Sequence, residues 1–473
     1  MKVLEQLFER IAQRVNINLR EFAFDVHPHV DHLVSFEKLA GFYGFYGVTS
    51  QHPLDFKFLH SNLAGSYFLG KCRVTNSIVY KSDIRGDELK KKGEVFSAQN
   101  FRIPLTRNEG IRIEDSFLIK TLVHNYSHDP ETPERFAISN TIACRYSNIH
   151  GSPMDGSFLE PFATVDLTTM NDCIIGAYSY VQAGEVNHLR IDPGTIWVRS
   201  PGLFNFFYQY PGDKLQRYIH FEAGSPAGGL FMDFVHERKE EFQRVFATVN
   251  PTAVIPVPDS ASVDRYAVIK PATHISDNVL VAQRSFLQNS RLGKGANAQE
   301  NCYIVNSNLA GNDVTAHGAK VVEVDMEETV FVGFNSFLRG RPDGRLVIGR
   351  GSIIMPHTII DSDQPLHVPA GSLVWGLVTG PADLAGNSIL LEELCEVEGG
   401  FSRGGLFFEG SGSAFVDAFC NRIQHILEAN GAFYDGVSRK GHAQRNRNIS
   451  FNTIQPYSRG GLKGMFPTII IQP

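Results

Sequence analysis

Ile348-Gly349-Arg350-Gly351-Ser352-Ile353, then Ile354-Met355-Pro356-His357-Thr358-Ile359, then Ile360-Asp361 with Leu366 six residues on, is the stretch from which the fold of this chain can be read. Apolar residues at a period of six fit neither an amphipathic helix, whose period is about 3.6, nor a half-buried strand that alternates every second residue. They fit short strands separated by turns and wound into a solenoid, each turn bringing an aliphatic side chain back over the last. The same spacing runs upstream through Leu292, Ala298, Ile304, Ala310, Ala316 and Val322, with Gly293, Gly311 and His317 following several of them. An earlier block repeats it from Leu63 to Leu69, from Ile78 to Ile84 and from Ile175 to Val181.

Ile348-Gly349 with Ser352, and Ile175-Gly176 with Ser179, carry an aliphatic first, a glycine second and a serine fifth. In this pattern the chain resembles the hexapeptide-repeat transferase superfamily. The resemblance implies a left-handed parallel β-helix with three faces and about eighteen residues per coil. Strands of successive coils would pair about 4.8 Å apart while their aliphatic side chains stack into one core. Ile191-Asp192-Pro193-Gly194-Thr195-Ile196-Trp197 and Val368-Pro369-Ala370-Gly371-Ser372-Leu373-Val374-Trp375 match each other and hold the only two tryptophans, so each is read as the closing coil of a block. The expected fold is mainly β, a left-handed parallel β-helix in two blocks with flanking and inserted α-helices. Its expected divisions are an aromatic-rich helical lead-in (1–60), a first block with inserted loops (61–200), a helical excursion (201–272), a second block (273–380) and a C-terminal helix with a basic tail (381–473).

Helical periodicity replaces the period of six in three places. Leu, Phe and Ile alternate with Glu, Lys and Arg from Met1 to Asn16; Phe231, Phe234, Val235, Phe242 and Val245 recur among charges over 229–247. Phe415 to Leu427 repeats the pattern and stops at Asn430-Gly431, a usual helix ending. The 473 residues are 42% apolar and 20% charged, which suits a large core and more than one compact unit. A formal charge of −6 leaves no excess of Lys or Arg for nucleic-acid phosphates. No apolar run of about eighteen residues could span a membrane, and the first residues lack the apolar stretch of a signal peptide. The six cysteines, without a C-x-x-C pair, read as reduced thiols of a cytoplasmic protein.

On a coil of about eighteen residues, Gln299, His317 and Asn335 would lie directly above one another, an imidazole between two amides. In the acyltransferases that the chain resembles, a histidine on a coil face takes the proton of an acceptor hydroxyl or amine as that group attacks a thioester. By that resemblance His317 is the catalytic base and Asn335 its partner. His357, near a corner and pointing outward, and His150, before a Gly- and Ser-rich loop, are further candidates. Any of these histidines also reads as an ordinary solvated side chain. A thioester donor, either CoA or an acyl carrier, brings phosphates. Arg439, Lys440, Arg445 and Arg447 place four cations within nine residues of an acidic chain, and arginine forks suit phosphate oxygens, so these four are the candidate donor-binding residues. The resemblance further implies a small-molecule acceptor and a homo-oligomer, of which a trimer is the usual form.

Metal chemistry is the rival within the same fold. The hexapeptide carbonic anhydrases hold zinc with three histidines, two of them five apart on one coil, and neither block offers that spacing. His27, His29 and His32 cluster before the repeats in the manner of metal ligands, though such a run reads more readily as a polar loop leading into a helix or strand. No metal is expected. The chain has no G-x-x-x-x-G-K-[ST] loop, no G-x-S-x-G elbow and no H-E-x-x-H. Acyl transfer from CoA or an acyl carrier to a hydroxyl or amine is therefore the expected function. The alternatives are a non-catalytic solenoid that serves as a binding or assembly module and, third, a zinc-dependent hydrolyase of the carbonic-anhydrase type.

Overall fold

The computed structural model of the chain describes residues 2–31, 33–40, 44–48, 55–98, 101–124, 128, 131–247, 255–454 and 469–472. Its strands are short, and most pair in parallel with the strand one coil away. The chain divides into two units, Met1–Thr195 with Leu215–Gly229 and Ile449–Pro473, and Ile196–Lys214 with Leu230–Asn448. Each contains a left-handed parallel β-helix with three strand faces.

In the first unit one face stacks Ser66–Leu69, Asp83–Arg85, Leu122–His124, Asn148–His150, Thr164–Asp166 and Tyr180–Gln182. Asn148 pairs with Thr164 and Thr164 with Tyr180, so the undisturbed coil is sixteen residues long. Leu159, Val165, Met170 and Ile175 are fully buried at steps of six, five and five. Asp83 pairs with Leu122, and Leu122 with Asn148; these longer steps mark excursions, the first containing the hairpin of Val95–Ala98 with Phe101–Pro104. A second face carries Ile78, Phe117, Ile142, Phe158 and Ile174 in register on successive coils. Such a column cannot stay in water. Phe8, Ile11, Ala12 and Val15, the apolar stripe of the helix Lys2–Asn18, cover it. Each large side chain removed from water there contributes about 1.5–3 kcal/mol.

In the second unit Asn297 pairs with Val314 and Val314 with Phe331, a coil of seventeen. Leu292, Ala298, Ile304, Leu309, Thr315 and Val321 are the buried places, at steps of six, six and five. A strict period of six points instead to Ala310 and Val322, which are exposed and half-buried. The residue lost after Ile304 accounts for the shift. Corners use left-handed backbone, and Asn289, Asn301, Asn306 and Asn335 take it with φ of 45°, 60°, 50° and 51°. Asparagine tolerates that conformation because its short amide bonds locally; here Asn289 Nδ2 donates to Asn306 Oδ1 at 3.1 Å and Asn306 Nδ2 to Glu323 Oε1 at 2.6 Å. Glycine follows the buried aliphatic for a steric reason. A Cβ on Gly293 would stand 1.8 Å from the Ala310 carbonyl oxygen, and one on Gly349 would stand 2.4 Å from the Ala370 nitrogen.

The stretch over 229–247 forms two helices, Leu230–Glu237 and Lys239–Ala247, with Phe231 and Phe234 against Phe337 and Tyr303. The helix Gly412–Asn430 ends at Gly431, whose φ is 82°. Its Phe415 stacks on Phe206 of a small antiparallel sheet formed by Phe204–Gln209, Leu406–Ser411 and Glu398–Arg403. All six cysteines are free thiols. Among the described residues no helix is long and apolar enough to cross a membrane.

Candidate active site

The seventeen-residue coil decides what stands beside His317. From the pairing of Ala298 with Thr315 and of Thr315 with Val332, Glu300, His317 and Phe334 fall into one column and Asn301, Gly318 and Asn335 into the next. The expected stack of Gln299, His317 and Asn335 is therefore not formed, because a shorter coil advances the register by one residue per turn. His317 instead has an acid on one side and a ring on the other. Its Nδ1 lies 2.6 Å from Glu300 Oε2, with both side chains 3% exposed. Its ring centroid is 5.2 Å from that of Phe334. The corners keep this column aligned, since Gly318 N donates to Glu300 O and Asn335 N to His317 O, each at 2.9 Å. Three residues on, Lys320 is buried and its Nζ donates to the Gly318 carbonyl at 2.6 Å; burial pushes its pKa down to about 7.

A carboxylate 2.6 Å from Nδ1 favours the tautomer with the proton on Nδ1 and the basic lone pair on Nε2. That is the arrangement a general base needs. Glu300 gave no signal in a reading based on eighteen residues, which put Gln299 under His317. A spacing of seventeen would have found it.

Asn335 is buried in the left-handed corner one coil from Gly318, where a Cβ would come within 2.2 Å of Asn335 Oδ1. Arg439, Lys440, Arg445 and Arg447 are all exposed. Lys440 Nζ lies 6.0 Å over the Tyr434 ring, and Arg447 Nη1 pairs with Asp259 Oδ1 at 2.8 Å. The short helix His442–Arg445 packs on Ser262–Val263 and Leu280–Val281. His357 does not point outward: it is fully buried in a corner with φ 57°, and its carbonyl accepts from the Tyr210 hydroxyl at 2.7 Å. His27 is held by Asp25 at 2.9 Å and Glu9 at 3.2 Å, while His29 stacks on Phe24 at 4.9 Å. His32 lies outside the described residues.

A polar column also runs along one face of the first unit. Arg85, His124, His150 and Asp166 are paired in register on consecutive coils. His150 Nδ1 lies 2.9 Å from Asp166 Oδ1, and the Tyr180 hydroxyl lies 2.5 Å from Asp166 Oδ2. Burial pushes the pKa of His124 down to about 4, so its ring is neutral at neutral pH. His150 was visible in the sequence, but His124 was not. The inserted excursion sets them 26 residues apart, which no repeat spacing suggests.

A family model described as "Hexapeptide repeat including loop" matches residues 101–223. Among solved structures, a Bacillus cereus protein described as a "putative acetyltransferase" aligns with TM-score 0.18 and 11% identity, over 38% of this chain and 96% of its own. A crystal structure described as a "putative acetyltransferase" from Desulfovibrio desulfuricans G20 aligns with TM-score 0.90 and 50% identity, over 100% of this chain and 99% of its own. The chain belongs to the hexapeptide-repeat transferase superfamily. The matched family segment contains the strands of His124, His150 and Asp166. No curated protein matches the chain.

Proposed function

We propose that the chain is an acyltransferase that moves an acyl group from CoA or an acyl carrier thioester to a hydroxyl or amine of a small-molecule acceptor. His317 is the general base and Glu300 the group that orients it. The reading rests on one observation, the 2.6 Å approach of a buried carboxylate to Nδ1 of a buried histidine on a coil face. His317 Nε2 takes the acceptor proton as the acceptor heteroatom attacks the thioester carbonyl. The tetrahedral intermediate then collapses, the C–S bond breaks and the departing thiolate takes the proton from the imidazolium. Glu300 stabilises the imidazolium between those steps. Asn335 positions the corner against Gly318. Arg439, Lys440, Arg445 and Arg447 meet the donor's phosphates, in keeping with the place of His442–Arg445 on the strands of Ser262 and Leu280. Three strand spacings, roughly 14 Å at about 4.8 Å each, separate Ser262 from the Val314 strand that leads to His317.

The test is thiol release from acetyl-CoA with a panel of amine and hydroxyl acceptors. Turnover that falls about 10²–10⁴-fold in His317→Ala, with the circular dichroism unchanged, is the expected result. Absence of acetyl-CoA binding by calorimetry, together with absence of thiol release, would overturn the reading in favour of a non-catalytic solenoid.

A further inference from the structure

The acyl transfer proposed above does not use the polar column of the first unit, which stacks Arg85, His124, His150 and Asp166 on consecutive coils. His124 and His150 occupy equivalent places on adjacent coils, with ring centroids 5.1 Å apart and planes at 59°. Ligating nitrogens of the two rings lie within 4.8 Å of each other. Metal–nitrogen bonds of about 2.0–2.1 Å put two ligands of one tetrahedral ion roughly 3.4 Å apart, a separation that small rotations of the two rings can reach. His124 is 8% exposed and Asp166 fully buried, so the column is held by packing.

Its outer partners are those of a metal site. Asp166 holds His150 Nδ1 and directs Nε2 to the ligating role, as carboxylates behind metal-bound histidines do. Tyr180 in turn holds Asp166. On the other side Arg85 is ion-paired with Asp87, whose Oδ1 lies 3.5 Å from His124 Nε2. With Arg85 set against Asp87, Asp166 and the charge of Glu88 leave a net negative environment beside the two imidazoles, which favours a dication over a monoanion. Nitrogen ligands without thiolate select zinc, cobalt, nickel or copper over magnesium or calcium.

We propose that His124 and His150 are ligands of a transition-metal dication in the first unit, oriented by Asp166 and Asp87, with water or a substrate oxygen at the remaining positions. The test of this proposal needs no enzymatic activity. Full-length protein stripped with chelator would be titrated with Co(II) and read by its d–d absorbance, with Zn(II) and Mg(II) as competitors. One equivalent of Co(II), displaced by Zn(II) and not by Mg(II), is expected. Asp166→Asn should weaken binding about 10–100-fold, and His124→Ala with His150→Ala should abolish it, while His27→Ala leaves it intact. Retention of binding in the double variant would overturn the proposal, as would no binding to the wild-type protein. Should the double variant misfold, X-ray absorption on the zinc-loaded wild type decides: imidazole scattering is expected, and its absence refutes the site.

Discussion

At the residue scale, the distinction that matters is between the atom that moves a proton and the group that aims it. In the proposed mechanism Glu300 touches no reacting atom, so its effect passes through the tautomer of His317. Glu300→Gln keeps the shape but lets an amide N–H face Nδ1, which favours the proton on Nε2 and removes the base where it is needed. Activity should then fall nearly as far as in His317→Ala, about 10²–10⁴-fold. Glu300→Asp should recover part of it, and the pH profile of kcat/KM should lose its basic-form dependence only in the Gln variant. A purely structural Glu300 would instead move KM and thermal stability with the profile unchanged. Lys320 permits a separate test. Its pKa is pushed down to about 7 when folded, while the unfolded lysine titrates near 10.4. Unfolding therefore takes up a proton between those values, so the native state is fully stable only above the higher one and loses stability as pH falls toward 7. Lys320→Met removes that dependence. Thermal melts should show the variant gaining on wild type between pH 10 and pH 7, by an amount on the order of 4 kcal/mol. A constant difference across that range would show that the amine is not held in its neutral form.

At the element scale, the solenoid was legible because its signal is redundant. Ile348, Ile354 and Ile360 repeat a spacing that no helix or ordinary strand produces, and their neighbours follow it for several coils. The helices Lys2–Asn18 and Gly412–Asn430 were legible for the same reason, as Phe8, Ile11 and Val15 or Phe415 and Phe419 repeat a period their surroundings lack, whereas the stretch over 229–247 read as one helix and forms two. Coil length was not legible, because the missing residue falls in a corner, where Asn, Gly and Glu all accept left-handed backbone and no aliphatic marks the count. That single residue carried Glu300 under His317 and Gln299 away from it. The second-place glycine is the element that can be tested. Gly293→Ala drives a methyl into the Ala310 carbonyl of the next coil, where the atom met is backbone and cannot rotate away. A loss of about 3 kcal/mol is expected in urea unfolding. Gly212→Ala, where nothing lies within 4 Å, should stay within about 0.5 kcal/mol. Equal losses at the two sites would mean that coil spacing does not demand the glycine.

At the scale of the whole molecule, a solenoid is held by nearest neighbours, so its ends are its weak points and must be covered. The opening coil of the second unit is covered by the segment that the sequence marked only for its positive charge. Asn278 Nδ2 donates to the carbonyls of Ala432 and Tyr434 at 3.0 and 2.9 Å, Gln444 Nε2 to that of Ser260 at 2.7 Å, and Arg447 Nη1 to that of Pro258 at 3.0 Å. Charge on Arg447 was legible and its docking was not, because Pro258 and Asp259 lie almost two hundred residues away and belong to no motif. The exposed ion pair of Arg447 with Asp259 contributes at most about 1 kcal/mol, so the backbone contacts of Gln444 and Arg447 together do most of the covering. Gln444→Ala combined with Arg447→Ala should therefore raise hydrogen exchange over 258–281 several-fold and leave 314–338 unchanged, since local opening of an end coil does not require the central coils to part. Exchange rising equally across both peptides would instead mean that the unit opens only as a whole. In that event the tail would stabilise the entire β-helix, and loss of donor binding in Arg447→Ala could not be read as loss of a phosphate contact.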